Sequence, residues 1–297
     1  KAQYTHLVDP SDGSVEDDLI VWWVAPSRFV VVANAANTAL VRDTIGGIDA
    51  TSLRALIAVQ GPKSRELISR LSPEASELSG NEVRSLSLGG SPCVVAGTGY
   101  TGEDGVEIDV PADRAAHLFS QLVELGAVPA GLGARDTLRT EAGLPLFGHE
   151  LGPGISPLAA GLDWVVGWNK ESFRGRIPLV RERQHGSAMK LWGLAGYTRR
   201  PLRRGSTVHV SSEGSSAGLG STAGAGSAHR QLDEVTLRSN EPADGSLVGD
   251  QGTGNEMTDR EIRHEIGVVT SGGFGPSVGT GIGMALLSSN MDVYPGM

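Results

Sequence analysis

Between Tyr197 and Phe274 the chain carries no Phe, Tyr or Trp, and residues 211–262 within that interval are rich in Ser, Gly, Ala and acidic side chains. A tract of this kind cannot bury enough apolar surface to offset the conformational entropy lost on ordering. It is expected to be a mostly disordered, solvated insertion over about 211–264. The core must then come from the flanking segments. The 297 residues leave room for about two domains at ~100–200 residues each. With 39% hydrophobic residues a packed core is affordable, and 42 glycines imply many turns.

Charge and cysteine content remove several function classes. Lys and Arg total 25 against 34 Asp and Glu, a formal charge of -9. Phosphate-backbone binding calls for a basic surface, so no nucleic-acid partner is expected. One thiol, Cys93, makes neither an intrachain disulfide nor a Cys-rich zinc site, and fits a reducing compartment. No apolar run approaches the ~18 residues of a membrane span, so no membrane partner is expected. The chain begins at Lys1, in what reads as mid-strand and without a signal-peptide pattern, so it reads as a fragment.

Residues 4–8, 18–24 and 29–35 read as strands, the last two apolar on both faces and hence buried. The 9–13 turn cluster and Pro26-Ser27 separate them. A second unit comes next: a strand at 55–59, a helix from Pro62 to about Leu71, strands near 83–88, 93–96 and 106–110, and a helix from Pro111. That helix has its apolar stripe at Ala115, Leu118, Phe119 and Leu122. The order β-α-β-β-β-α suggests a ferredoxin-like α+β subdomain over 51–130. A helix over 134–142 would end at Gly143. Residues 148–161 read as a loop and 164–168 as a short strand, and strand character returns from Lys190 and at 266–271 and 282–287.

Two motifs mislead. Gly97-Thr98-Gly99-Tyr100-Thr101-Gly102 matches G-x-G-x-x-G, but a pyrophosphate site needs a helix next. Residues 103–109 form an acidic turn and a strand instead. Gly275-Pro276-Ser277-Val278-Gly279 matches G-x-S-x-G, yet that triad order needs a later His, and the last is His264. Ser277 therefore reads as a turn residue. The seven histidines show no metal-ligand spacing, so no metal is expected, and His149-Glu150 reads as a surface pair.

Other residues could do chemistry. Asp17 and Asp18 open an apolar strand, where alternation sends them to opposite faces: Asp18 with Ile20 and Trp22, Asp17 with Leu19 and Val21. A carboxylate there is either a turn cap or a paired functional group. Glu107 and Asp109 share one face of their strand, either a solvated outer face or one where Glu107 accepts two parallel N–H bonds from an edge such as a 2-amino-pyrimidinone. Arg135 and Arg139 stand four apart on one helix, so one could meet an anion; an Asp136–Arg139 pair would neutralise the anomaly. Arg199, Arg200, Arg203 and Arg204 form a basic cluster, either a solvated loop or a contact for an anionic group.

Several longer segments together resemble one family. They are Tyr4-Thr5-His6, Asp17-Asp18-Leu19-Ile20-Val21, residues 32–37 (Val-Ala-Asn-Ala-Ala-Asn), 58–62 (Ala-Val-Gln-Gly-Pro), and 99–107 (Gly-Tyr-Thr-Gly-Glu-Asp-Gly-Val-Glu). Also matching are 131–139 (Gly-Leu-Gly-Ala-Arg-Asp-Thr-Leu-Arg), its continuation through 141–149, the 155–158 loop, and 267–272. The chain resembles the T proteins of the glycine cleavage system, tetrahydrofolate-dependent aminomethyltransferases, over most of 1–210 and 265–287. The resemblance implies an α+β fold: a cloverleaf of folate-binding domains around a central hole, with a C-terminal β-barrel. It implies a core at 1–185 with 51–130 inserted, and an incomplete barrel at 186–297. It also implies transfer of the aminomethyl group on the lipoyl arm of H protein to tetrahydrofolate, in the cytoplasm or, in a eukaryote, the mitochondrial matrix. Carried over by motif, Asp18 is the catalytic acid, Glu107 binds the pterin, Arg135 contacts substrate, and Tyr100 and Asn34 line the pocket. The chain departs from the family in lacking an earlier N-terminal segment and a C-terminal Tyr, in a shortened 40–51 stretch, and in the low-complexity insertion. A non-catalytic folate-binding module of the same superfamily is the alternative; residues 100–105 favour the enzyme. The folate domain of a dimethylglycine or sarcosine oxidase would need a flavin domain that this chain does not contain.

Overall fold

The computed structural model describes residues 1–212, 234–238 and 262–290. Most of the expected insertion lies outside the described residues. The fold is mixed α/β, built on three antiparallel sheets.

The first sheet has the order β1-β2-β3, from Ala2–Val8, Val15–Ala25 and Arg28–Val32. The 9–14 turn is locked by Asp9, whose Oδ1 accepts the Ser11 backbone N–H at 2.7 Å. This sets a register in which His6 faces Asp18 and Tyr4 faces Ile20. Burial on both faces does not hold along the whole of β2 and β3: Trp22 is sealed, but Trp23 and Phe29 are 53% and 55% exposed. The reason is that β3 is an edge strand, and at this end of the sheet only the Trp22 face is covered. Trp23 and Phe29 instead stack on each other, centroids 6.0 Å apart. Helix α1 (Thr38–Ile45) comes after β3, burying Val41 against Leu7 and Leu19.

The second sheet has the order β4-β7-β6-β5, from Arg54–Gln60, Val83–Leu88, Ser91–Ala96 and Gly105–Pro111 as β4 to β7. Helices α2 (Ser64–Ser69), α3 (Pro73–Ser76) and α4 (Ala112–Glu124) accompany it. One face carries the largest core, including Ile68, Val95, Ile108, Leu118 and Leu122. Phe119 falls outside the buried stripe of α4 and is 47% exposed. The ferredoxin-like expectation needs correcting here. Gly89 and Gly90, at φ +52° and +79°, close the two-residue hairpin between β5 and β6. The element order β-α-β-β-β-α and the antiparallel pairing are as expected, but α4 comes after the last strand, where a ferredoxin-like unit has its second helix before it.

The opposite face of this sheet packs on the first one: Val94 and Ala96 meet Ala2 and Trp22. Helix α5 (Leu132–Glu141) comes next, and Gly143 beyond its end takes φ +68°, the left-handed geometry suited to a helix stop. The strand expected at 164–168 is not formed. Residues Asp163–Val165 make a 3-10 turn, because the N–H groups of Val165 and Val166 bond back to Leu162 and Asp163 and no neighbouring strand competes. Helix α6 (Arg176–His185) leads into the third sheet.

That sheet has the order β10-β9-β11-β12-β8, with β8 Met189–Ala195, β9 Thr207–Ser212, β10 Glu234–Arg238, β11 Ile262–Gly275 and β12 Thr280–Ser288. Its core includes Val208, Val210, Ile266, Val269 and Leu287. Strand β10 falls within the stretch expected to be mostly disordered, and its backbone pairs with β9 from Glu234↔Ser211 to Arg238↔Thr207. Alternation within 234–238 lends itself to an edge strand despite the composition around it. The edge strands β10 and β8 do not pair with each other among the described residues.

Candidate functional site

The adjacent acids on β2 are treated differently by the fold. Asp17 is fully buried and accepts from three donors: Asn34 Nδ2 at 2.7 Å, Asn37 Nδ2 at 2.9 Å and the Asn34 backbone N–H at 3.3 Å. Those donors come from the segment after β3, so Asp17 fastens that segment to β2. Asp18 is only half-buried. Its Oδ1 accepts from Asn34 Nδ2 at 2.6 Å and its Oδ2 from the Tyr4 hydroxyl at 3.1 Å. One amide NH2 thus bridges two neighbouring carboxylates. Each Asp18 oxygen retains capacity for another donor. Desolvation raises its pKa, against the hydrogen bonds from Asn34 and Tyr4, with the Asp17 charge adding to the rise. No cation pairs with Asp18 among the described residues.

Glu107 is the second acid, and the solvated outer-face reading fails: it is 7% exposed. It stands opposite Ala96 in the ladder, and Ala96 packs on Trp22, which shares its face of β2 with Asp18. The two carboxylates therefore project from the facing sides of two packed sheets. Thr98 Oγ1 donates to Glu107 Oε2 at 2.6 Å, but Glu107 makes no salt bridge among the described residues. Asp109, on the same face, is tied to Arg54 at 2.8 Å.

Residues 97–104 connect the two acids to the rest of the constellation. Their glycines serve packing, which explains a phosphate motif without a phosphate site. A Cβ on Gly97 would sit 2.3 Å from the Ser79 carbonyl oxygen, and Gly102, at φ +73°, would drive one to 2.5 Å from Ala142 Cβ. Tyr100, between them, hydrogen-bonds the Pro145 carbonyl. The Arg135 guanidinium lies 5.3 Å from its ring centroid. Burial raises the Tyr100 pKa and the Arg139 charge opposes this; Asp18 is near enough to act on it as well. Asp18, Asn34, Tyr100 and Arg135 thus form one neighbourhood, and Glu107 is reached through Thr98 on the same loop.

Arg139 is used structurally. It is 1% exposed and donates to Asp136 at 2.8 Å, Glu150 at 3.0 Å and Ser271 at 2.7 Å. The Asp136 pair resolves the like-charge anomaly and leaves Arg135 exposed beside the Tyr100 ring. Glu150 is fully buried, which overturns its reading as a surface group. His149 is only partly buried and contacts Ser271 Oγ at 3.0 Å; burial and the Arg204 charge hold its pKa below the usual imidazole range. Within the basic cluster, Arg204 donates to the Gly148 carbonyl at 2.7 Å and Arg199 lies 5.2 Å from the Phe274 ring centroid. Ser277 sits in a turn, its hydroxyl held by Glu141 at 2.9 Å.

A cavity of about 470 Å³ lies elsewhere, lined in part by Thr101, Leu138, Glu141, Leu194, Ile282 and Met284. None of the five sequence-derived site residues lines it. Among the described residues no cluster of three His, Cys, Asp or Glu side chains could hold a metal ion, and no helix is long and apolar enough to cross a membrane.

The sequence reading quoted Tyr4-Thr5-His6 as a matching segment but gave Tyr4 and His6 no role at the site. Their signal lies in the register: both occupy the β1 face beside Asp18, which the 9–14 turn fixes.

Comparison with known proteins supplies the remaining findings. The family described as "GCVT N-terminal domain" matches residues 1–170. An aminomethyltransferase of Mycobacterium avium is 36% identical, the match covering 100% of this chain and 70% of the relative. That of Mycobacterium tuberculosis is 37% identical over the same shares. The crystal structure of glycine cleavage system aminomethyltransferase T from Bartonella henselae superposes with a TM-score of 0.72 at 27% identity, covering 99% of this chain and 69% of that one.

Proposed function

The chain belongs to the aminomethyltransferase family of glycine cleavage T proteins, and from that premise we propose that Asp18, Asn34, Tyr100, Glu107 and Arg135 bind tetrahydrofolate and orient it toward an aminomethyl group. The activity is that of an aminomethyltransferase, not of a non-catalytic folate-binding module. The one-carbon donor is the aminomethyl-lipoyl arm of H protein. In the overall reaction the C–S and C–N bonds of the donor break and two C–N bonds to the folate form. The two protons released from the folate nitrogens end on ammonia and on the dihydrolipoyl thiol.

The observation that carries the binding reading is Glu107. A buried carboxylate without a cation is costly unless its lone pairs are filled. Thr98 fills one, and an edge with parallel N–H donors supplies two more through charge-assisted bonds. Asp18, on the facing sheet, accepts from the folate amine region with the lone pairs left free by Tyr4 and Asn34. Orientation of this sort lowers a barrier by several kcal/mol. Arg135, exposed above Tyr100, meets the anionic part of the substrate.

The same reading divides the chain into a folate-binding core at 1–185, with 51–130 inserted, and a C-terminal unit at 186–297. The three sheets are then leaves of a cloverleaf, and the five-stranded sheet is the wall of a β-barrel. The reaction runs without a metal, in the cytoplasm or a mitochondrial matrix.

The test is methylenetetrahydrofolate formation from aminomethylated H protein. Asp18→Ala is expected to abolish turnover, and Glu107→Gln to weaken tetrahydrofolate binding by about tenfold or more. Turnover at the unaltered rate in Asp18→Ala rejects the role assigned to that acid.

A further inference from the structure

We propose that His6 and Tyr4 form a hydrogen-bonded positioning relay behind Asp18, running from His6 Nε2 to the Tyr4 hydroxyl to Asp18 Oδ2, and that it sets the orientation and charge of that carboxylate. The proposal deepens the reading of Asp18 as the reacting acid and rests on it.

The geometry is built by one hairpin. Tyr4 and His6 are two apart on β1 and project from the same face; His6 is opposite Asp18 and Tyr4 is one step along. Tyr4 Oη lies 3.1 Å from Asp18 Oδ2 and 3.0 Å from His6 Nε2. The rings of Tyr4 and His6 meet edge to face, centroids 5.1 Å apart, and Trp164 lies over the other side of Tyr4 at 6.1 Å. Tyr4 is therefore held between two rings and has little freedom to point elsewhere.

The direction of the relay comes from counting protons. An ionised carboxylate only accepts, so the single Tyr4 hydroxyl hydrogen goes to Asp18. The Tyr4 oxygen then accepts from His6, which must carry its proton on Nε2. His6 Nδ1 is left as a bare lone pair, and it is buried with no partner. Both relay members hold one protonation state at working pH. Burial, then the Asp18 charge, raises the Tyr4 pKa, while burial lowers that of His6 to about 4. A permanent donor and a neutral imidazole thus stand behind the one acid whose ionisation the reaction uses. The other ionisable groups acting on Asp18 are Asp17 on its own strand and Tyr100 from the 97–104 segment.

The experiment compares Tyr4→Phe, His6→Leu and His6→Gln in the full chain by two readouts: the pH profile of kcat/KM with aminomethylated H protein, and the titration of the Asp18 carboxyl carbon by NMR after ¹³C labelling. Tyr4→Phe is expected to lower kcat about tenfold, as loss of a bond to a charged group does. It should move both the acid limb and the Asp18 titration to higher pH. His6→Leu should move both the same way by less; His6→Gln, whose amide reaches the Nε2 position, should restore them. Tyr4→Phe/His6→Leu should shift no further than Tyr4→Phe alone, because His6 acts through Tyr4. An Asp18 titration unmoved in Tyr4→Phe, or additive shifts in the double variant, overturns the relay. A titration that moves as expected while Asp18→Asn keeps full turnover upholds the relay and overturns the catalytic reading instead.

Discussion

Arg139→Met tests how much stability rests on the buried Arg139, which pairs with Glu150 and ties α5 to β11. Arg139 is anchored on α5 and reaches Ser271 of β11 at 2.7 Å, while Nη1 holds Glu150 at 3.0 Å. Glu150 is 0% exposed, and once Arg139 is gone the Leu146 backbone N–H at 3.0 Å is the donor left to it. Asp136 is 53% exposed and relaxes into water, so its lost contact adds little. The dominant cost is a stranded buried charge, worth about 3–5 kcal/mol. For a chain of this size that lowers the first melting midpoint by about 6–20 °C in differential scanning calorimetry near neutral pH. Arg139→Met/Glu150→Gln removes the stranded charge and should recover at least half of the loss. A midpoint within about 2 °C of the parent for Arg139→Met, or a double variant no better than the single, refutes the reasoning.

The two acids of β2 should separate cleanly. Asp17→Asn places an NH2 among three donors and is expected to cost about 2–3 kcal/mol in urea unfolding. Asp18→Asn, which relieves a desolvated charge, should leave stability within about 1 kcal/mol of the parent while turnover collapses. His6 gives a pH signature. Its folded pKa of about 4 lies below the ordinary 6.5, so the unfolded chain binds more protons between those values and stability falls as pH drops through that window, by up to about 3 kcal/mol. His6→Gln should flatten that part of a melting-versus-pH curve; an unchanged slope counts against a buried neutral imidazole. Gly102→Ala should destabilise by about 2 kcal/mol or more from its left-handed backbone and its contact with Ala142, read by thermal melting.

How far the sequence is legible depends on what each feature rests on. The hairpin, the helix stop at Gly143 and the two decoy motifs were readable because turn chemistry and helix caps act within a few residues. The edge exposure of Phe29 was not, because whether a run such as Phe-Val-Val-Val is covered on one face or two depends on which sheet packs behind it. The subdomain at 51–130 shows the same boundary. Its element order came from local pattern, but the pairing of β4 with the outer edge of β7 is a long-range choice that periodicity does not encode.

The site divides in the same way. Alternation correctly separated the Asp17 and Asp18 faces and put Glu107 with Asp109, but it could not say that the Glu107 face is buried against a second sheet. The i, i+3 spacing did offer Asp136 as the partner of Arg139 on α5, but not the second acid that Arg139 holds, Glu150, which is buried. What made Asp18 stand out in three dimensions is a contrast invisible in the string of letters. Its neighbour Asp17 is held by three donors and closed to solvent, whereas Asp18 has two side-chain donors, spare lone pairs and, among the described residues, no cation. The fold spends three hydrogen bonds to lock one acid and leaves the next one half-open, the contrast on which the ligand role proposed for Asp18 rests, and Asn34 is bonded to both. Any substitution at Asn34 should therefore be felt twice, in stability through Asp17 and in turnover through Asp18.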